Sequence, residues 1–143
     1  MHNILQFLNT HIILSLTWIM LFLTLLIITY KVYFSKIKEI TRNKAMLLIN
    51  KEHAIIVDIR PCEDFRDGHL ANSINIHPLN LRKGNINQLK YYKNKPVIVV
   101  CAYGTNSRAS GNNLVKAGFQ YVYILKDGII GWVHASLPLV RGK

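Results

Sequence analysis

The sequence predicts an α/β domain, a parallel sheet covered by helices on both faces, carried behind a single membrane-spanning helix. Three observations predict it. Residues 12–30 form nineteen consecutive positions without a charged side chain, ended by Lys31. The later chain contains short runs rich in Val and Ile that are apolar at neighbouring positions, as strands buried on both faces are. Helical segments separate these runs, the alternation expected when parallel strands are joined by crossovers.

A helix over 12–30 would be about 28 Å long, close to the hydrocarbon thickness of a bilayer. Core helices of soluble domains rarely stay apolar on every face for so long. A cleaved signal peptide would need a basic leading segment, and residues 1–11 contain no Lys or Arg. It would also need small residues at its exit, where this chain has Tyr30, Lys31, Val32, Tyr33 and Phe34. The expectation is an uncleaved single-span anchor. The chain divides into a tail and span over 1–31, a basic connector over 32–40 and a domain over 41–143. Lys31, Lys36, Lys38, Arg42 and Lys44 follow the span and no base precedes it. Basic flanks stay in the cytoplasm, so the N-terminus should face out and the domain should be cytoplasmic. Tyr30 and Tyr33 suit the headgroup level; Trp18, inside the apolar stretch, is not explained by that rule.

Thr41 is the expected N-cap of a helix over 42–50, with Ala45, Leu47, Leu48 and Ile49 in helical spacing. AIIVDI (54–59) reads as a buried strand. Pro61 opens a turn of helix through Phe65, with Glu63 and Asp64 placed where they suit the dipole; Gly68 breaks it. Residues 73–76 form a second strand, 78–84 a loop and 86–92 a helix. Pro96 precedes the strand VIVV (97–100). A loop over 101–107 leads into a helix over 108–116, ended by Gly118. Residues 121–125 form a strand, 128–133 a last short helix, and Pro138 begins the tail.

The net charge is +11. A basic chain could meet anionic lipid, nucleic acid or anionic substrates. The lysines are scattered and accompany no RNA- or DNA-binding motif, so a nucleic-acid partner is not expected. The juxtamembrane bases are explained by orientation and contact with membrane lipid. Cys62 and Cys101 are the two cysteines; in a reducing cytoplasm they should be free thiols. No C-x-x-C occurs and the His spacing offers no four-ligand site, so no metal is expected.

Cys101 ends the strand VIVV and begins a loop of Ala102, Tyr103, Gly104, Thr105, Asn106 and Ser107, followed at once by a helix. Sites in open α/β sheets form at the carboxyl ends of strands. Backbone N–H groups of a tight Gly-containing turn can point inward as a nest, and the next helix adds its positive end. Arg108 adds a full charge nearby. All three favour a thiolate over a thiol and make the sulfur a nucleophile that could accept a group from an anionic donor. The competing reading is a free Cys packed as a small hydrophobe. Tyr103 is either a lid over the sulfur or a solvent-facing aromatic.

The run VDIRPCEDFRDGHLANSINI (57–76), the loop CAYGTNSR (101–108), KAGFQYVYILKDGIIGW (116–132) and LPLV (137–140) together resemble the rhodanese-homology domain. The matching positions are Asp58, Arg60, Asp64, Phe65, Gly68, His69, Ser73 and Ile76, then Cys101 to Ser107, then Gly128, Trp132, Leu137 and Pro138. With the anchor added, the whole chain resembles membrane-anchored rhodanese-like proteins of bacteria, which places it in the inner (plasma) membrane. The resemblance implies a rhodanese-like five-stranded parallel sheet flanked by helices. It implies sulfur transfer, in which the Cys101 thiolate takes the outer sulfur of a donor such as thiosulfate, becomes a persulfide and passes the sulfur to a thiol, cyanide or carrier protein. Residues Ala102 to Arg108 would bind the substrate, and no metal or organic cofactor is implied.

This loop departs from the pattern of thiosulfate users. Ala102 stands where Arg or Lys often follows the Cys, Asn106 occupies the late cationic or hydroxyl position, and the cation Arg108 lies at the helix start. Asn72 replaces a customary Gly and tolerates the left-handed conformation. Asp58 and Arg60 are expected as a structural ion pair supporting the loop, His69 as a packed turn residue and Trp132 as core. Cys62 is either inert or a resolving thiol for a Cys101 persulfide. Two other functions compete. A cysteine phosphatase would need Arg six residues after Cys101, where this chain has Ser107. A non-catalytic platform would use the same fold to bind another membrane protein.

Overall fold

The structure is a computed structural model that describes residues 11–33 and 36–142. It forms two units, one through Ser35 and one from Lys36 onward. The first holds helix α1 (Ile12–Tyr33). From Ile12 to Tyr30 its apolar side chains are all exposed, which in water would be untenable for so long a run. Its Ser and Thr hydroxyls are satisfied internally. Ser15, Thr17, Thr24 and Thr29 each donate to a carbonyl one turn back, Thr24 to Met20 at 2.7 Å and Thr29 to Leu25 at 2.7 Å. A helix without water partners must handle its polar groups this way. One helix is thus long and apolar enough to cross a membrane. Phe34 and residues 1–10, part of the predicted tail and exit, lie outside the described residues.

The second unit runs β1 (Ile37–Ile40), α2 (Arg42–Glu52), β2 (Ile55–Asp58), α3 (Cys62–Asp67), β3 (Ser73–Asn75), α4 (Pro78–Arg82), a 3-10 helix (Asn87–Tyr92), β4 (Val97–Val100), α5 (Ser107–Lys116), β5 (Val122–Leu125) and α6 (Gly128–His134). The five strands form one sheet in the order β1-β5-β4-β2-β3, every pair parallel. One register row crosses four of them through Ile37, Val122, Val97 and Ile55.

Strand alternation divides the core into two layers. Val97, Val99 and Cys101 join one cluster with Leu81, Leu89, Leu114 and Phe119, under α4, the 3-10 helix and α5. Ile98 and Val100 join the other with Ala45, Leu48, Ile129 and Trp132, under α2 and α6. Trp132 is core, as expected, 6% exposed. Small residues let α5 approach the sheet closely: a Cβ on Gly111 would lie 3.3 Å from Ile37 Cδ1.

Three expectations need correction. Residues 37–40, read as connector, form β1; Ile37 and Ile40 are buried while Lys38 and Glu39 are exposed, a run too short and too charged to show a strand period. Residues 78–82, read as loop, form α4, where Pro78 sits at the first turn and His77 Nδ1 accepts from the Leu79 N–H at 3.3 Å. The helix expected over 86–92 is a tighter 3-10 helix over 87–92. Thr41 precedes α2 as expected, but its side chain makes no capping hydrogen bond.

Candidate active site

Cys101 is the first residue past β4 and is 5% exposed. Alternation from Val97 and Val99 turns its side chain toward the α5 layer. Its Sγ accepts the N–H of Gly104 at 2.9 Å, closing the loop back on the sulfur. Gly104 has φ +86°, and a Cβ there would lie 3.1 Å from Asp127 N and 3.2 Å from Leu125 O. Only glycine allows this turn against the β5–α6 corner.

The other side of the loop is clamped by α6. Ile129 N–H donates to Cys101 O at 2.9 Å, and Ile130 N–H to Ala102 O at 3.1 Å. The close approach depends on Gly128, at φ +55°, where a Cβ would collide with both of those carbonyls. In a trans peptide C=O and N–H point opposite ways. With the carbonyls of Cys101 and Ala102 held by α6, the N–H groups of Ala102 and Tyr103 project from the loop's other side. The N–H groups of Ala102, Tyr103, Thr105 and Asn106 find no acceptor among the described residues. Ser107, the first residue of α5, is fully buried, and its hydroxyl has no partner there either. A buried sulfur therefore sits in a loop rich in unused donors, an arrangement that can receive an anion or an added sulfur.

The remaining predicted residues divide. Tyr103 is 68% exposed, and Thr105, Asn106 and Arg108 are exposed. No hydrogen bond or ion pair joins the Arg108 side chain to any described residue. Asp58 and Arg60 form a separate hub that reaches Gly68, next to His69 in the chain. Asp58 is fully buried at the end of β2, beside Val100 in the register. Arg60 Nε lies 3.1 Å from each carboxylate oxygen and Nη2 2.7 Å from Oδ2. Nη2 also donates to Gly68 O at 2.7 Å, and Arg60 N–H to Asp58 Oδ1 at 2.9 Å. His69 Nδ1 lies 2.7 Å from Phe65 O, and the two rings stack at 3.8 Å. None of the three makes a polar contact with Cys101. Cys62, at the start of α3, is an exposed free thiol. No His, Cys, Asp or Glu cluster suited to a metal occurs among the described residues.

Sequence reasoning missed two participants. Asn75 donates its Nδ2 to Asp58 O at 3.1 Å and Arg60 O at 2.9 Å, joining β3 to the hub. Gly128 and the first turn of α6 brace the Cys101 loop from 27 residues away along the chain. The Lys-Asp-Gly corner hints at a left-handed turn there, but nothing local says what it supports.

A rhodanese-like domain model matches residues 41–135. The protein YibN of Escherichia coli (strain K12) is 48% identical over 143 residues, all of both chains. The thiosulfate sulfurtransferase GlpE of Glaesserella parasuis is 36% identical over 104 residues, 73% of this chain and 94% of that one. The crystal structure of a rhodanese-related protein from Thermoplasma volcanium superposes with a TM-score of 0.61 at 26% identity, covering 73% of this chain and 99% of the other.

Proposed function

The chain belongs to the rhodanese-like family, and from that membership we propose that it is a membrane-anchored sulfurtransferase carrying sulfane sulfur as a persulfide on Cys101. One observation carries the reading: a buried sulfur at the carboxyl end of β4, held by the Gly104 N–H, in a loop whose other amides have no partner among the described residues. The thiolate attacks the outer sulfur of a donor such as thiosulfate. A new S–S bond forms, the donor's S–S bond breaks, and sulfite leaves with the electron pair. A thiolate acceptor then attacks the outer sulfur, and the Cys101 thiolate departs. The backbone donors receive charge on the outer sulfur in the intermediate, and their fixed geometry needs no reorganisation at that moment. Asp58, Arg60 and His69 hold the neighbouring β2–α3 turn without touching the sulfur.

The anchor is α1, with the N-terminus outside and the domain in the cytoplasm of a bacterial inner membrane. The exposed apolar surface of α1 and the bases that follow it support this placement.

A second reading, a platform that binds another membrane protein without catalysis, draws on the loop itself: Ala102 and Asn106 put no cation beside the sulfur, and Arg108 is exposed. Incubating the detergent-solubilised full chain with thiosulfate or polysulfide, then trapping persulfide with an alkylating agent, separates the two. Catalysis predicts a mass gain of one sulfur atom on Cys101, absent in Cys101→Ser. No loading from either donor would leave the platform reading standing. A phosphatase is disfavoured because Ser107 holds the position where a phosphate-binding Arg is needed.

A further inference from the structure

Because every strand is parallel, all the amino ends lie along one edge of the sheet and Cys101 lies at the other. The segments that turn at the amino edge bring five exposed lysines together along it. Lys36 precedes β1, Lys51 ends α2 before β2, Lys93 and Lys95 precede β4, and Lys116 ends α5 before β5. Backbone bonds join the segments before β2, β4 and β5 into one rim. Ile55 N–H donates to Pro96 O at 2.8 Å, Val97 N–H to Tyr121 O at 2.8 Å and Gln120 N–H to Lys93 O at 3.3 Å. Two aromatic side chains stand out from the same rim, Tyr91 at 89% exposure and Tyr121 at 50%.

The acids are distributed oppositely. Of the seven in the chain, Asp58, Glu63, Asp64, Asp67 and Asp127 lie at or beyond the carboxyl ends of β2 and β5. Glu52 is the acid on the lysine rim among the described residues. Exposed bases stand at the carboxyl ends too, Lys44, Arg66, Arg108 and Lys126 among them, and offset these acids, whereas the five lysines of the amino edge are accompanied by one acid.

Covalent geometry adds the second argument. Four residue steps separate Tyr33, the last of α1, from Ile37, the first of β1. An extended chain covers at most about 14 Å in that distance. If α1 spans a bilayer, Ile37, where β1 begins, stays within this reach of the end of the span. Basic side chains interleaved with tyrosine are the chemistry that binds an anionic bilayer surface.

We infer that the amino edge of the sheet is a docking surface for anionic lipid, so that Cys101 is presented away from the membrane. The inference rests on reading α1 as an anchor, and the experiment distinguishes the two. The full chain is incorporated into nanodiscs of phosphatidylcholine alone or rich in phosphatidylglycerol, and amide hydrogen exchange is compared. Expected is several-fold slower exchange over 117–121 and the amides of 93–95 in the anionic discs, with 102–106 unchanged. High salt should erase the difference in the unmodified protein. Replacing Lys93→Gln and Lys95→Gln should lower the docking equilibrium constant about fivefold for each lysine. Equal exchange in both discs, or protection of 102–106 instead, overturns the docking surface alone. A chain that does not enter either disc overturns the anchor and the docking surface together.

Discussion

Asp58 and Cys101 stand at the ends of adjacent strands, with Asp58 paired beside Val100 across β2 and β4. At Asp58 both carboxylate oxygens accept from Arg60, which also holds Gly68 O, while Asn75 covers the nearby carbonyls. At Cys101 one amide meets the sulfur, while the N–H groups of Ala102, Tyr103, Thr105 and Asn106 and the Ser107 hydroxyl stay unused within the described chain. The Ser107 hydroxyl is buried without a partner there, which costs free energy until something binds it, while the loop amides lie in a partly exposed segment. The neighbouring sites thus divide the work. One fixes the turn, and the other keeps donors unpartnered among the described residues.

Four substitutions would break or sharpen that contrast. Cys101→Ser should abolish sulfur loading, read by persulfide trapping, while leaving the urea midpoint in micelles nearly unchanged. A large loss of stability would make Cys101 a packing residue first. Asp58→Ala should cost about 3–5 kcal/mol by urea unfolding, because it strands a guanidinium that is 9% exposed. Asp58→Leu combined with Arg60→Met should recover much of that loss. If instead Asp58→Ala folds normally and loads no sulfur, the hub belongs to the reaction. Gly128→Ala should cost about 1–3 kcal/mol through the left-handed backbone, and more where the carbonyl collision is not relieved. Loading should fall with it as the loop shifts. Ser107→Ala has the smallest expected effect on folding and the opposite sign, a change of no more than about 1 kcal/mol toward higher stability. If its hydroxyl meets the incoming sulfur, the rate of loading should drop about tenfold, as for a lost bond to a charged group.

What could be read from the sequence follows from what is local. The VIVV run, the Cys after it and the Gly-containing loop before a helix are neighbours in the chain, and so the position of the sulfur was legible. Three strands, β2, β4 and β5, were legible as compact apolar runs, and β3 as a short segment after a turn. β1 was not, because Ile37 and Ile40 enclose two charges and the segment becomes a strand only by pairing with β5. The bracing of Cys101 O by Ile129 was not legible either. It depends on where β5 ends relative to β4, which is settled by sheet order rather than by residue type. The expected help from Arg108 rested on sequence proximity alone; one position into α5, its side chain is exposed.

The clamp of α6 on the Cys101 loop has an evolutionary corollary. Main chain grips main chain there, through Ile129 and Ile130, and most of the loop's unpartnered donors among the described residues are amides too. Side chains at 102, 103, 105 and 106 carry none of that scaffold, so mutation can rewrite them without loosening the clamp. Gly104 and Gly128 have no such latitude. Divergence within this lineage should accumulate on the loop's outer surface while its two glycine pivots stay as they are.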